Sequence, residues 1–307
     1  MKNLWNCICA RGADPKLRYL IVGVPWLWLG LFFVLPFLFL LKISLSEAQL
    51  AQPPFLNMLR GDDEGLLTIV LNFANYLLLW EDSLYGSALL GSLKVATIST
   101  LLCLLIGYPM AYGIARAQDK WRMPLLMLII LPFWTSFLIR VYAWMGILKN
   151  NGLLNNFLMW LGVIDQPLEI LYTPTAVYIG MVYSYLPFLI LPLYATLVKL
   201  DHTLLEAAAD LGCKPIRQFF SVTLPLSMPG VIAGSMLVFI PVMGEFVIPD
   251  LLGGPDTLMI GKLLWTEFFS NKDWPLASAL ACVLLAALIL PFALLRYFEN
   301  KAIEETE

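Results

Sequence analysis

EAAADLGCKPIRQFFSVTLPLSMPG, residues 206 to 230, is a polar, alanine-rich stretch set between two long apolar runs. Asp201 and Thr203 upstream are candidate N-caps, and Glu206 suits a helix's first turn, where an acid meets the positive end of the dipole. Ala207, Ala208 and Ala209 favour helix strongly. Gly212 and Pro215 end or kink that helix. Phe219, Phe220 and Val222 then restore an apolar face, and Pro225, Pro229 and Gly230 turn the chain into the next apolar run. The pattern predicts a short helix lying along a membrane surface, tied to the span that follows.

The rest of the chain supplies the membrane. Hydrophobic residues make up 60% of it and charged residues 13%, with a mean hydropathy of +0.79; soluble domains carry about one-quarter charged residues. A hydrocarbon core about 30 Å thick takes about 20 apolar residues per helical span. Six stretches qualify, at roughly 19–41, 88–113, 124–148, 174–198, 230–250 and 276–297. Barrel strands would alternate over short segments, whereas these runs are continuous, and only helices satisfy their backbone amides in lipid. The expected fold is an all-α integral membrane protein of six transmembrane helices.

Lys16 and Arg18 before the first run resemble the start of a secretory signal. The run is longer than the usual 7–15-residue apolar core and no small-x-small cleavage site follows, so it reads as a retained helix. Basic residues cluster at alternate ends of the spans, as the positive-inside rule requires. Lys2, Arg11, Lys16 and Arg18 precede span one; Arg116, Lys120 and Arg122 join spans two and three; Lys199, Lys214 and Arg217 join four and five; Arg296 and Lys301 follow span six. The other connections hold Lys42, Arg60, Lys149, Lys262 and Lys272 beside acids such as Glu47, Asp62, Asp63, Glu64, Glu81 and Asp82. Both termini are therefore expected in the cytoplasm, with an N-terminal arm at 1–18, a six-helix domain at 19–298 containing the loop 199–229, and a tail at 299–307.

Cys7, Cys9, Cys103, Cys213 and Cys282 fall in spans or cytoplasmic segments, so no disulfide framework is implied. Two ligands, Cys7 and Cys9, are short of the usual four for a metal, and His202 reads as a solvated loop residue. No metal site, catalytic residue or nucleic-acid partner is expected. There is no phosphate-binding loop of the G-x-x-x-x-G-K-[ST] kind; if ATP drives the protein, another chain hydrolyses it.

Spacing sharpens this. EAA at 206–208, three residues, Gly212, nine residues, then V-x-L-P ending at Pro225 resembles the EAA loop of ATP-binding-cassette importer permeases, with Val222 where that family usually has Ile. The resemblance implies a type I importer permease (MetI-like) fold and a coupling helix seated in a cleft of an ATPase subunit. Glu206 would meet a basic group there, Ala207 and Ala208 would allow close approach, Gly212 would permit the bend, and Asp210 and Pro225 complete the coupling set. Three stretches are similar to permease subunits of polyamine importers, most closely those for putrescine: LPFWTSFLIRVYAWMGILKNNGLLNNFL from Leu131, GSMLVFIPVMGEFVIPDLLGGPDTLMIG from Gly234 and FFSNKDWPLAS from Phe268. This implies a second, related permease, an ATPase dimer carrying ATP and Mg, a periplasmic polyamine-binding protein and a polyamine substrate, with no cofactor on this chain.

An ionisable group inside a span is a functional candidate by default. Arg140 and Glu245 stand about 15 or 16 residues into spans three and five, roughly 22–24 Å up at 1.5 Å per residue. They are placed to pair; alternatively, Glu245, followed by Phe246, Pro249 and Asp250, lies on a cation path. Trp134, Tyr142, Trp144, Tyr183 and Tyr185 offer ring faces to an ammonium group or act as interfacial anchors, with Trp134 and Tyr183 preferred for the path. Pro187, Pro192 and Pro241 mark expected kinks. Two other functions fit less of the pattern. An importer of this architecture for ferric iron, sulfate or an opine would share the loop. A secondary transporter would leave the loop unexplained and calls for inverted repeats, which the two halves do not show.

Overall fold

A computed structural model describes residues 15–57, 59–61, 67–201 and 203–304, with side chains over 21–57, 70–201 and 203–289. Lys2, Arg11, Cys7, Cys9, Asp62, Asp63, Glu64 and His202 lie outside the described residues, as do the side chains of Lys16, Arg18, Arg60, Arg296 and Lys301.

The chain begins with α1 (Pro15–Leu29), a π-helical turn at Gly30–Val34 and α2 (Leu35–Ser44). Strands β1 (Leu59–Gly61) and β2 (Leu67–Ile69) pair antiparallel, Arg60 opposite Thr68. Then come α3 (Ala74–Glu81), α4 (Ser83–Arg116), α5 (Asp119–Ile130), a 3-10 turn at Leu131–Trp134, α6 (Phe137–Leu148) and α7 (Leu153–Trp160). After α8 (Pro174–Leu197) follow α9 (Thr203–Asp210), α10 (Pro215–Gln218), a π-turn at Phe219–Thr223 and α11 (Leu224–Met243). The chain ends in α12 (Val247–Leu252), α13 (Ile260–Trp265), a π-turn at Thr266–Ser270 and α14 (Trp274–Glu304).

The fold is all-α as expected, apart from the short hairpin in what reads as an outward loop. Among the described residues, Ile21–Ser44, Ser83–Arg116, Pro174–Leu197 and Pro215–Met243 are long and apolar enough to cross a bilayer. The expected sixth span is represented by the apolar helix Trp274–Ile289 within α14. Two spans depart from expectation. Span three is not one helix: Asp119–Trp134 and Phe137–Trp160 meet at 91°. Pro132 opens the break, lacking an N–H and disfavouring helix at the residue before it, and its carbonyl accepts from Thr135 Oγ1 at 2.8 Å and Arg140 NH1 at 2.8 Å. Span five stops at Met243, just after Pro241, rather than running to residue 250. Pro187 and Pro192 sit inside an unbroken α8.

Packing divides the chain into two compact units. The smaller holds the described residues up to Leu78 with Glu267–Ala286. From residue 21 to residue 41 its first span carries apolar residues only and is mostly exposed, as at Trp26, Trp28 and Phe33. Asn75 Nδ2 ties the end of α2 to α3 by donating to the carbonyls of Ser44 and Ser46 at 2.9 and 3.0 Å. Trp274 stacks on Phe268 with ring centres 5.0 Å apart.

The larger unit, Leu79–Thr266 with residues from Ala287 onward, is built on α4, α8 and α11. The Asp82 carboxylate caps α4 by accepting from Leu84 N at 2.9 Å. Ala88, Ser92, Ala96, Cys103, Gly107 and Ala111 form a buried stripe of small side chains along α4, the composition that lets membrane helices approach closely. A Cβ on Gly107 would stand 2.7 Å from Leu189 Cδ2, and one on Gly234 2.9 Å from the Leu189 carbonyl oxygen. Leu189, Ile190 and Leu193 of α8 are fully buried between these surfaces. A buried hydrogen bond of 2.8 Å between Tyr108 and Ser227 hydroxyls links α4 to α11.

Candidate functional site

Glu245 stands where the backbone leaves α11. The amides of Gly244 and Glu245 turn back onto the carbonyls of Pro241 and Val242 at 3.2 Å each, closing the helix. The chain re-enters helix at Val247, and the Glu245 side chain caps that start: Oε1 accepts from the amides of Phe246 at 3.1 Å and Val247 at 2.9 Å. Oε2 accepts from the Tyr185 hydroxyl. The residue is 9% exposed, and among the described residues no basic side chain lies within ion-pair reach of it. Burying a carboxylate with three neutral donors and no paired charge is costly, a cost that a cation brought beside it would offset.

The segment around it, a helical hairpin running from Gly244 to Trp265, is fitted closely at glycines. A Cβ on Gly261 would collide with the carbonyl oxygens of Gly244 and Glu245, and one on Gly91 of α4 with that of Leu258. The buried Ser92 hydroxyl accepts from Ile260 N at 2.8 Å, satisfying an amide at the start of α13. Asp250 forms an ion pair of 3.2 Å with Lys262, both partly exposed. Phe246 and Trp265 stack with centres 4.4 Å apart and planes 10° apart.

Arg140 does not pair with Glu245. The 91° break redirects α6, so a rise counted along a straight span three does not hold. Arg140 is 9% exposed; beside its bond to Pro132, its guanidinium lies 4.7 Å from the Phe133 ring centre and 5.9 Å from that of Phe137. Its Nε has no hydrogen-bond partner. Rings connect the two buried charges instead: Phe133 meets Phe188 edge-on at 5.2 Å, and Phe188 lies 6.2 Å from Tyr185, which donates to Glu245.

Of the aromatic candidates, the structure brings Tyr185 to the acid, not Trp134 or Tyr183. Trp134 sits on the 3-10 turn, 76% exposed. Tyr183 packs edge-on against Trp144 with centres 5.3 Å apart. Residues two apart on a helix point to nearly opposite sides, so Tyr183 and Tyr185 cannot share one task. Gly261 and Ser92 were not singled out by their sequence context; a glycine just inside the start of α13 was the available signal.

The loop of residues 199–229 contains the expected short helix, α9. Of the two cap candidates, Thr203 is the first residue of the helix and Asp201 lies two residues before it, its carboxylate accepting from Thr203 N at 3.0 Å. Gly212 adopts φ +79°, with its amide bonding Ala209 O at 2.8 Å and that of Cys213 bonding Ala208 O at 3.0 Å, the hydrogen-bond pair of a Schellman ending. Glu206, Ala207 and Asp210 are exposed, Ala208 partly so, and Leu204, Leu211, Ile216 and Phe220 leave apolar surface uncovered nearby. Pro225 lies in the first turn of α11. An exposed acid with apolar neighbours is suited to contact another protein.

Comparison with known proteins agrees with this architecture. Residues 103–304 match the family model "Binding-protein-dependent transport system inner membrane component". The spermidine/putrescine transport system permease protein PotB of Escherichia coli (strain K12) is 43% identical over 282 residues, 90% of this chain and 97% of that protein. PotB of Haemophilus influenzae (strain ATCC 51907 / DSM 11121 / KW20 / Rd) is 39% identical over 294 residues, 95% of this chain and 98% of that protein. In fold, the chain is similar to one from a bacterial ABC transporter involved in the import of the acidic polysaccharide alginate, with a TM-score of 0.63 and 17% identity, covering 96% of this chain and 99% of that one. With its apolar helices, its type I importer permease architecture and these relatives, the chain belongs to the binding-protein-dependent transport system inner membrane component family, as a multi-pass transport subunit of the inner membrane rather than an enzyme.

Proposed function

We propose that this chain forms half of the translocation path of an ATP-driven importer carrying polyamines, putrescine and spermidine, from the periplasm to the cytoplasm. The observation that carries the proposal is Glu245, a buried acid with three neutral donors and no basic partner among the described residues, in a chain 43% identical to a spermidine/putrescine permease. An alkyl diamine supplies the missing charge, and its methylenes suit the rings of Phe133, Phe188 and Tyr185. A second, related permease completes the path and a periplasmic binding protein delivers the substrate. ATP with Mg belongs to an ATPase dimer that receives α9 through Glu206, Ala207, Ala208, Asp210 and Gly212. Both termini face the cytoplasm, in keeping with the basic residues at Arg116, Lys120, Arg122, Lys199, Lys214 and Arg217.

ATPase closure, transmitted by α9, opens a cavity between the permeases, and the acid there takes over from water around an ammonium group. Binding stays weak enough for release because a single carboxylate, already shared among three donors, holds it. The test is uptake of labelled putrescine and spermidine into proteoliposomes containing this chain, its partner permease, the ATPase and the binding protein, with ion gradients collapsed. Uptake dependent on internal ATP is expected. ATPase stimulation only by the loaded binding protein of a different solute would discard the polyamine and keep the architecture.

A further inference from the structure

The ends of α4 and α8 and the starts of α5 and α9 enclose a cleft of about 360 Å³ that the transport cycle above does not use. Its walls pair apolar side chains, Leu200 and Leu205 among them, with Arg116, Arg122, Tyr112 and Asp119. Arg122 is engaged within the fold: NH1 lies 2.7 Å from Asp119 Oδ1, and Nε donates to Ala117 O at 2.9 Å. Arg116 is different. It sits in the last turn of α4, is exposed, and rests its guanidinium 4.9 Å from the Tyr112 ring centre, with no carboxylate partner among the described residues. A cation at a helix C-terminus is favoured by the dipole, and its planar fork remains open to a phosphate, which guanidinium binds in bidentate fashion.

We infer that this cleft holds the phosphate headgroup of an anionic phospholipid, with Arg116 as the principal contact. Two features favour a lipid over another anion. The cleft lies at the basic end of a 34-residue helix that is long and apolar enough to cross a bilayer, beyond the apolar stretch that the hydrocarbon core takes. Its walls combine basic and aliphatic groups, matching a phosphodiester joined to acyl chains, and basic pockets between membrane helices are known headgroup sites. Leu205 belongs to α9, so an occupied cleft braces that helix against the ends of α4 and α8. The inference is independent of which solute is carried.

The test is native mass spectrometry of the assembled transporter in detergent with phosphatidylglycerol and, separately, phosphatidylcholine. Wild type should retain phosphatidylglycerol preferentially. Arg116→Gln should lower its affinity about fivefold, the effect of one basic charge near a membrane surface, while Asp119→Asn, which removes the competing acid, should raise it. Unchanged retention in both variants overturns the inference, as does displacement of the lipid by millimolar inorganic phosphate, which would mark a site for free anions. Loss of the ATPase subunit from Arg116→Gln complexes with lipid occupancy unchanged would also overturn it, reassigning Arg116 to a protein contact.

Discussion

At Glu245 the decisive fact is which groups surround the carboxylate. Glu245→Gln keeps the size and one acceptor oxygen but removes the charge, so polyamine uptake should fall about tenfold or more, the scale of a charge-assisted hydrogen bond, with the assembled complex recovered normally. Unchanged transport kinetics would return Glu245 to a purely structural task, capping α12. Tyr185→Phe deletes the donor to Oε2 but leaves both amide donors, so its uptake should drop by roughly fivefold. Tyr183→Phe, whose ring edge meets Trp144, should transport normally; equal losses in the two tyrosine variants would contradict the assignment. The sequence made Arg140, Glu245 and the tyrosines visible as polar groups in apolar runs. It did not show which would meet, because partnership depends on where the chain bends.

Among the elements, two short segments translate local backbone requirements into function. The hairpin from Gly244 to Trp265 carries Glu245 and is pressed closely onto itself at Gly261. Gly261→Ala should lower the thermal midpoint of the purified complex and reduce uptake, because the new methyl collides with the Gly244 and Glu245 carbonyls; Gly86→Ala, which meets nothing within 4 Å, serves as its control. Indistinguishable melting of the two variants would show that the hairpin gives way without consequence. At α9, Gly212 is needed for its positive φ rather than for space, since a Cβ there meets nothing within 4 Å. Gly212→Ala should therefore strain the ending by about 1–2 kcal/mol and diminish transport-coupled ATPase activity more than overall stability, measured side by side. The helix, its glycine ending and its prolines were legible in the sequence because they are local: each depends on residues within one or two turns. The break at Pro132 was not marked as one. A proline in a membrane helix can be absorbed, as Pro187 and Pro192 are in α8, and only the neighbours decide.

For the whole molecule, the prediction concerns assembly. Glu206 is exposed on α9, so Glu206→Arg should leave membrane insertion intact while detaching the ATPase and abolishing uptake; copurification and uptake measured together check this, and normal uptake would sink the docking assignment. Composition and span length were sufficient to establish a helical membrane protein, and the resemblance of the spacing from Glu206 to Pro225 to a known importer loop implied a permease. Hydrophobic length is dictated by the bilayer, and a docking motif is contiguous in the chain. Tertiary structure alone decided that Arg140 stacks on rings instead of pairing with Glu245, that Tyr185 rather than Tyr183 or Trp134 reaches the acid, and that Gly261 makes room for the turn. Those outcomes join residues far apart in sequence, and their geometry is set by the angle of a helix break and the facing of a helix, quantities that hydropathy does not encode.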